Sequence, residues 1–165
     1  NVVHHTHTGG FHQHYGRENR VENNIFAFSA REQIIRSREE DHISFIFTGN
    51  IVYFDNGKLL GGNWKNQMWK MDKNCYWDTS GKEIKFAEKT LKEWRELGFD
   101  VNSIIEDPGF VDPQNCNFNL SENSPVSKID FKPINSNEIG LYGDPEWKNL
   151  PSKYTRIQCP LSSKQ

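Results

Sequence analysis

Histidines are crowded at the start of this 165-residue chain. Five of the six lie within the first fourteen residues: His4, His5, His7, His12 and His14. Imidazole is a common metal ligand, so one interpretation of this cluster is a metal site. However, no carboxylate or cysteine accompanies the histidines at ligand spacing, and a neutral imidazole also hydrogen-bonds well to hydroxyl groups. We therefore expect His12 and His14 to contact a hydroxylated ligand, and we expect neither a metal site nor a cofactor.

Carboxylates are the second group of residues that could do chemistry. Hydrolysis of a glycosidic bond needs one protonated and one ionised carboxyl group, roughly 5 to 10 Å apart. Our candidates for such a catalytic pair are Glu18 and Asp41. Three further acidic residues stay open as alternatives: Glu39, Glu40 and Asp72. The competing interpretation is that the charge-rich stretches, Arg31-Glu32 and Arg36 to Asp41, form only solvated loops and surface ion pairs.

These residues are distant in sequence, and a repeat predicts how they come together. Four times an asparagine is followed directly by an apolar, strand-like run, at Asn1, Asn24, Asn50 and Asn74. The intervals of 23, 26 and 24 residues are typical of a solenoid whose coils stack strand on strand. Because an amide carries both a donor and an acceptor, stacked asparagines can satisfy one another, and we expect an asparagine ladder. The alternative is that these asparagines only mark turns before strands.

Three columns of apolar residues keep the phase of the asparagines. They are Val2, Ile25, Ile51 and Cys75 directly after the asparagine, Phe11, Ile34 and Leu60 ten residues after it, and Val21, Phe47 and Met71 three residues before it. Strands about 4.8 Å apart that contribute equivalent positions build ladders of like side chains. The predicted fold class is therefore all-β, a parallel β-helix.

The same count places candidate binding residues side by side. Tyr15, Arg38 and Trp64 occupy one coil position, and Gln13 aligns with Arg36. Aromatic faces beside guanidinium groups would form a platform for sugar rings, with arginine binding hydroxyls or a carboxylate. The predicted substrate-binding residues are His12, His14, Tyr15, Arg36, Arg38 and Trp64. The alternative is a surface ladder of cations and aromatic rings that binds nothing.

Acidic residues follow the same register. Glu18 aligns with Asp41, and Glu40 aligns with Arg17. One or two rungs of a solenoid span about 5 to 10 Å, which is the separation that paired catalytic carboxylates need.

Composition argues against several other functions. The net charge is −2 and no basic face or run stands out, so no nucleic-acid binding is predicted. No apolar stretch approaches the roughly 18 residues that span a bilayer, so no membrane contact is predicted. The three cysteines, Cys75, Cys116 and Cys159, are scattered, and they show neither a disulfide framework nor metal-ligand spacing.

The chain changes character after the last repeat. Apolar residues at helical spacing, a capping box of Thr90 with Glu93, and Gly98 as a C-cap predict a short helix from Leu91 to Leu97. Proline, asparagine and aspartate then become frequent and break any long regular element. We expect the helix and an irregular, proline-rich wrap to cover the open end of the solenoid. The predicted organisation is β-helix coils over 1–79, the helix and closing wrap over 80–143, and a tail over 144–165.

Several segments resemble the C-terminal part of right-handed parallel β-helix repeat proteins. They are Gly10 to Asn19, Asn23 to Ala27, and Asp107 to Pro113 followed by Phe118-Asn119-Leu120 and Ser124-Pro125-Val126. The similarity covers roughly residues 1–143, and such proteins are similar to pectate-lyase-like and glycoside-hydrolase β-helices. The resemblance implies a right-handed, carbohydrate-active protein, secreted or periplasmic, with its polysaccharide or oligosaccharide in a groove along one sheet. Because the chain begins inside a repeat, we also expect N-terminal coils of the same protein to pack against it.

The predicted function is glycoside hydrolysis of a plant or microbial polysaccharide. The first alternative is a polysaccharide lyase acting on a uronate-containing glycan, which would recruit Arg36, Arg38 and His42 as base and cations. The sequence shows no acidic calcium cluster, which weakens the lyase interpretation. The second alternative is a non-catalytic terminal part of a larger β-helix enzyme.

Overall fold

The computed structural model, which describes residues 1–135, 139–141 and 143–153, shows a chain wound into stacked coils of short strands. The first three coils contain β1 (Val2–His4), β2 (Phe11–Gln13) and β3 (Asn19–Glu22); β4 (Ile25–Ala27), β5 (Ile34–Arg36) and β6 (Phe45–Thr48); β7 (Ile51–Phe54), β8 (Leu60–Gly62) and β9 (Lys70–Asp72). Two further strands follow, β10 (Cys75–Asp78) and β11 (Ile104–Ile105). Equivalent strands pair in parallel into a first sheet (β1-β4-β7-β10-β11), a second sheet (β2-β5-β8) and a third sheet (β3-β6-β9). This arrangement confirms the predicted parallel β-helix, and its right-handed sense stays a prediction.

The strand register confirms all three apolar columns. Val2, Ile25, Ile51 and Cys75 are paired in the first sheet, Phe11, Ile34 and Leu60 in the second, and Val21, Phe47 and Met71 in the third. The first column has a fifth member, Ile104, which the sequence analysis did not predict. Ile104 lies further along the chain from Cys75 than the other column members lie from one another, because a helix is inserted between β10 and β11.

The predicted asparagine ladder is also confirmed. Side-chain Nδ2 donates to Oδ1 of the next asparagine at 2.8 Å from Asn1 to Asn24, 3.0 Å from Asn24 to Asn50 and 3.3 Å from Asn50 to Asn74. Beyond Asn74 the ladder position is taken by Ser103, whose Oγ accepts from the Asn74 backbone N–H at 2.8 Å. The Oδ1 atoms of Asn24, Asn50 and Asn74 therefore each accept a hydrogen bond from the preceding coil, which holds the coils in register.

The helix α1 (Leu91–Glu96) closes the C-terminal end of the interior. Its capping box forms as predicted, with Thr90 and Glu93 bonded in both directions, and the helix ends one residue earlier than expected, with Leu97 as the C-cap. Trp94 is buried and stacks on Trp69 with ring centroids 5.8 Å apart. This aromatic layer, which includes Phe86 and Phe99, covers the last coil.

The proline-rich wrap lies elsewhere than predicted. After β11 the chain forms an antiparallel hairpin of β12 (Phe110–Asp112) and β13 (Asn117–Leu120) and a 3₁₀ helix (Pro125–Ile129). Its apolar residues pack against the outer face of the first sheet in a second core cluster. That cluster includes Ile25, Ala27, Ile51, Tyr53 and Cys75 of the sheet and Phe118, Val126, Ile129 and Phe131 of the wrap. Since neighbouring residues of a strand face opposite sides, the apolar outer face of this sheet needs a cover as much as the interior does.

Residues 135–165 form a second compact unit. Its described part contains α2 (Pro145–Asn149), which begins after the N-cap Asp144, and a 3₁₀ helix (Leu150–Lys153). The rest of the predicted tail, 154–165, lies outside the described residues. Among the residues that the structure describes, no helix combines the length and the apolar character required to cross a bilayer.

Candidate functional site

An exposed polar cluster lies where the chain leaves the second sheet. The Ser37 hydroxyl is hydrogen-bonded with His12 Nε2 at 3.0 Å and with His14 Nδ1 at 3.1 Å. It also donates to the Gln13 carbonyl of the coil before it at 3.1 Å. The parallel pairing of β2 with β5 positions these residues, because it fixes Gln13 opposite Arg36 and so brings Ser37 beside the histidines. Both imidazoles are thus bonded to a hydroxyl of the protein itself, and their contact with a hydroxylated ligand stays a prediction.

Tyr15 and Arg38 complete this cluster. The Tyr15 side chain is 63% exposed, and its ring meets the His14 ring edge-on at a centroid distance of 4.8 Å. The Arg38 guanidinium carbon lies 5.7 Å from the centroid of the Tyr15 ring. We call this group, His12, His14, Tyr15, Ser37 and Arg38, the Tyr15 surface. It presents one accessible aromatic face, one cation and two imidazoles.

Trp64 does not belong to that surface, so the predicted three-membered column is wrong. Its indole is buried, donates from Nε1 to the Gly61 carbonyl at 2.8 Å, and packs against Trp69 at 5.0 Å. Gly62 has a left-handed φ of +88°, so side chains beyond it no longer alternate as in a regular strand. Trp64 and Lys65 are among the residues that line an open cavity of about 460 Å³.

The prediction that Arg36 binds a ligand is also wrong. Its side chain lies inside the solenoid and has no exposed surface. Its Nη1 donates to the Asn63 carbonyl at 3.0 Å and to Asn66 Oδ1 at 2.8 Å, and its Nη2 donates to Ser44 Oγ at 3.0 Å. The guanidinium carbon lies 5.1 Å from the centroid of the Trp69 ring. Burial lowers the pKa of Arg36, and nearby carboxylates oppose that change. Arg36 therefore organises two loops from within rather than contacting a ligand.

The predicted alignment of Glu18 with Asp41 is wrong in register. The β2–β5 pairing has an offset of 23 residues, as in Gln13 with Arg36, whereas the β3–β6 pairing has an offset of 26 residues, as in Asn19 with Phe45. Glu18 accordingly donates its backbone N–H to the Ile43 carbonyl at 2.8 Å. Three additional residues in the second coil's bend cause this difference, and they also remove the alignment of Arg17 with Glu40. Both Glu18 and Asp41 are exposed.

The bend between β5 and β6, which is three residues longer than the bend between β2 and β3, brings a different group of acidic residues together. Glu40 accepts from Gln13 Nε2 at 3.2 Å, and its other carboxylate oxygen lies 3.5 Å from His42 Nε2. On the opposite side of the ring, His42 Nδ1 lies 3.3 Å from Asp41 Oδ1. Glu39, in the same bend, accepts from the Lys65 backbone N–H at 3.2 Å. We call Glu40, Asp41 and His42 the bend triad.

The bend triad could carry acid–base chemistry. The Glu40 side chain is only 16% exposed, and its hydrogen bond to the buried Gln13 fixes its direction. Asp41 is fully exposed, so the imidazole has one shielded and one solvated carboxylate beside it. Sequence reasoning named Glu40 as an alternative but assigned it the wrong neighbour, because the three extra residues of the bend cannot be located from the repeat alone. Asp72, the remaining alternative, accepts two hydrogen bonds from Asn102.

One group of possible metal ligands lies away from both of these clusters. Within the described part of the chain, His4, His5 and Cys116 are the only set of three or more His, Cys, Asp or Glu residues that could hold an ion, with ligand atoms within 4.8 Å of one another. The sequence analysis found no cysteine near these histidines, since Cys116 follows His4 by 112 residues.

Comparisons of the chain with family models, with curated proteins and with solved structures gave no match.

Proposed function

We propose that this chain is a carbohydrate-active β-helix protein that binds a polysaccharide or oligosaccharide at the Tyr15 surface and hydrolyses its glycosidic bonds with the bend triad. The observation that carries the proposal is the exposed Tyr15 ring, with the Arg38 cation over it and the His14 imidazole beside it. A sugar ring offers an apolar face for stacking on an aromatic ring and hydroxyls around its edge. Arg38, His12 and His14 can bond to those hydroxyls.

The hydrolytic step is assigned to Glu40 and Asp41. Paired carboxylates in glycosidases are separated by roughly 5 to 10 Å, and two carboxylates on opposite sides of one imidazole fit that range. Asp41 retains its predicted role, while Glu40 replaces Glu18 because the observed register separates Glu18 from this bend. His42 lies between the two carboxylates and positions them.

The hydrolase is favoured over the lyase because Arg36 is unavailable. A lyase needs cations to neutralise a uronate carboxylate next to the proton that it removes. Arg36, one of the cations assigned to that role, is buried with both terminal nitrogens bonded to the protein, which leaves Arg38. Secretion or a periplasmic location is part of this proposal and rests on the family resemblance.

Product analysis tests the reaction. Hydrolysis produces new reducing ends without the ultraviolet absorbance of an unsaturated sugar, whereas a lyase produces both. We expect Glu40→Gln and Asp41→Asn to lower hydrolysis by at least about 100-fold, as loss of an acid or base group does. The matched control is Glu83→Gln, which changes an exposed carboxylate paired with Lys85. Unsaturated product would overturn the hydrolase, and full activity of Glu40→Gln would overturn the assignment of Glu40.

Binding is tested separately on a panel of neutral and uronate-containing polysaccharides. Tyr15→Ala and Arg38→Ala should each weaken binding by about fivefold or more, since each removes a contact worth about 1 kcal/mol. Trp147→Ala removes an aromatic ring that is 53% exposed and serves as the control. Binding that is lost in Tyr15→Ala, with no product from any glycan, would identify a non-catalytic glycan-binding part. Equal binding by Tyr15→Ala and the unmodified chain would overturn the Tyr15 surface as the contact site.

A further inference from the structure

Two segments far apart in the sequence bring three metal-ligand atoms together on the outer side of the first sheet. His4 and His5 lie at the end of β1, and Cys116 lies in the turn of the β12–β13 hairpin. The Nδ1 atoms of His4 and His5 are 2.9 Å apart, and Cys116 Sγ lies 3.7 Å from His4 Nδ1. All three residues are exposed, so an ion could reach them from solvent.

The backbone aims these side chains at one point. Adjacent residues in a regular strand point to opposite sides of the sheet, but His5 has a left-handed φ of 52° that brings its ring back beside His4. Cys116 also has a left-handed φ, of 61°, where it ends the 3₁₀ helix Pro113–Asn115. Left-handed backbone is uncommon for residues other than glycine. His5 and Cys116 both have this backbone conformation, and they lie in the same cluster.

Buried aromatic rings hold the two imidazoles in place. The His4 ring packs against Phe118 at a centroid distance of 5.3 Å, and the His5 ring packs against Phe28 at 5.1 Å. Phe28 and Phe118 are buried in the core cluster under the hairpin. Ligands whose rotamers are fixed by packing lose little freedom when a metal ion binds, which favours binding.

We propose that His4, His5 and Cys116 bind a zinc ion. Two imidazole nitrogens and one thiolate are ligands that zinc prefers, at about 2.0–2.1 Å for nitrogen and about 2.3 Å for sulfur. A tetrahedron with those bond lengths has edges of roughly 3.3 Å between nitrogens and 3.6 Å between nitrogen and sulfur. The observed His4–His5 distance of 2.9 Å and His4–Cys116 distance of 3.7 Å are within about half an ångström of these two edges, and all three ligand atoms lie within 4.8 Å of one another. The fourth position would open to solvent and take a water molecule or an exchangeable ligand.

The bound ion would join the first coil to the C-terminal hairpin. The two ligand segments are separated by more than 100 residues, as the spacing of His4 and Cys116 shows. An ion that binds the folded chain stabilises it in proportion to the logarithm of its free concentration over its dissociation constant. Zinc is thus expected to raise the unfolding temperature of the chain.

Cobalt substitution tests the site directly. The full chain carrying Cys159→Ser, which removes a thiol outside the described residues, is stripped with a chelator and titrated with Co²⁺. We expect one equivalent to produce a thiolate-to-metal absorption band with the intense visible bands of tetrahedral cobalt, and Zn²⁺ to abolish both. Cys116→Ser should remove the thiolate band, and His4→Ala and His5→Ala should each weaken zinc binding at least tenfold. The matched control is His7→Ala, which removes an exposed histidine of the same segment.

A stability measurement keeps the test decisive. At one fixed concentration, zinc should raise the unfolding temperature of the chain and of His7→Ala by more than it raises that of Cys116→Ala or His4→Ala. If Cys116→Ser does not fold, the Cys116→Ala and His5→Ala chains provide the same comparison. Absence of a thiolate band, or equal zinc affinity of the His4→Ala and His7→Ala chains, would overturn the proposal and leave only adventitious binding by surface histidines.

Discussion

Buried polar side chains determine how the parts of this solenoid meet, and Asp100 is the clearest example. Its carboxylate has no exposed surface and accepts from Ser103 Oγ at 2.5 Å, Trp94 Nε1 at 2.9 Å, Tyr76 Oη at 2.9 Å and Asn74 Nδ2 at 3.2 Å. Burial raises the pKa of Asp100, and these hydrogen bonds oppose the rise. One side chain thus connects the asparagine ladder, the core and the closing helix.

Removing this acceptor should destabilise the chain strongly. Asp100→Ala leaves buried donors without an acceptor, and we expect a loss of about 3–5 kcal/mol in the free energy of unfolding. Asp100→Asn keeps the shape, but its amide nitrogen cannot accept, so we expect an intermediate loss of more than about 1 kcal/mol. Urea denaturation measures both.

Asp55→Asn serves as the control for this prediction. Asp55 is exposed in a coil bend, so its substitution should change the free energy of unfolding by less than about 0.5 kcal/mol. Asp100→Ala with the stability of the unmodified chain would show that the four hydrogen bonds contribute nothing.

Among the elements, the asparagine ladder sets the register of the coils. Asn50 is its most connected member in the interior: its Oδ1 accepts from both the backbone and the side chain of Asn24, and its Nδ2 donates to the Val21 and Thr48 carbonyls as well as to Asn74. Because the residue is fully buried, water cannot replace these bonds.

Asn50→Ala should therefore cost about 2–4 kcal/mol in the free energy of unfolding. Asn50→Asp should cost at least as much, since it removes the donor and buries a carboxylate among acceptors. The control is Asn119→Ala on β13, where the side chain is exposed. Equal midpoints of denaturation for Asn50→Ala and Asn119→Ala would contradict a stabilising ladder.

At the scale of the whole molecule, the β-helix has two apolar faces to cover on its first sheet. The interior face is filled by the coil core, and the outer face is covered by the hairpin and the 3₁₀ helix that follows it. Polar contacts hold this wrap at its far end, where Asn23 is bonded twice to the Lys132 backbone and Lys73 pairs with Asp130 at 2.7 Å. The wrap is therefore part of the folding unit rather than an appendage.

Truncating Ile129 tests this role of the wrap. The residue is 1% exposed within the outer cluster, and Ile129→Ala should lower the free energy of unfolding by about 2–5 kcal/mol, as in a well-packed core. Val111→Ala, at a hairpin position that is 59% exposed, should change it by less than about 0.5 kcal/mol. A wrap that contributes nothing to stability would give the two variants the same denaturation midpoint.

The sequence by itself determined the periodic features. Residues such as Ile25, Ile51 and Cys75 are paired as their spacing predicts, and the ladder and the capped helix at Leu91–Glu96 follow from local patterns. The physical reason is that parallel coils repeat one backbone geometry, so equal counts along the chain become neighbours in space.

Only the tertiary structure decided which candidate residues reach the surface together. The pair Tyr15 and Arg38 lies before the three extra residues of the bend and stays in contact, whereas Glu18 lies after them and loses its predicted partner. Trp64 turns inward beyond Gly62. The meeting of His4 with Cys116 depends on a hairpin folding back over the first coil, and no periodic spacing encodes such a contact.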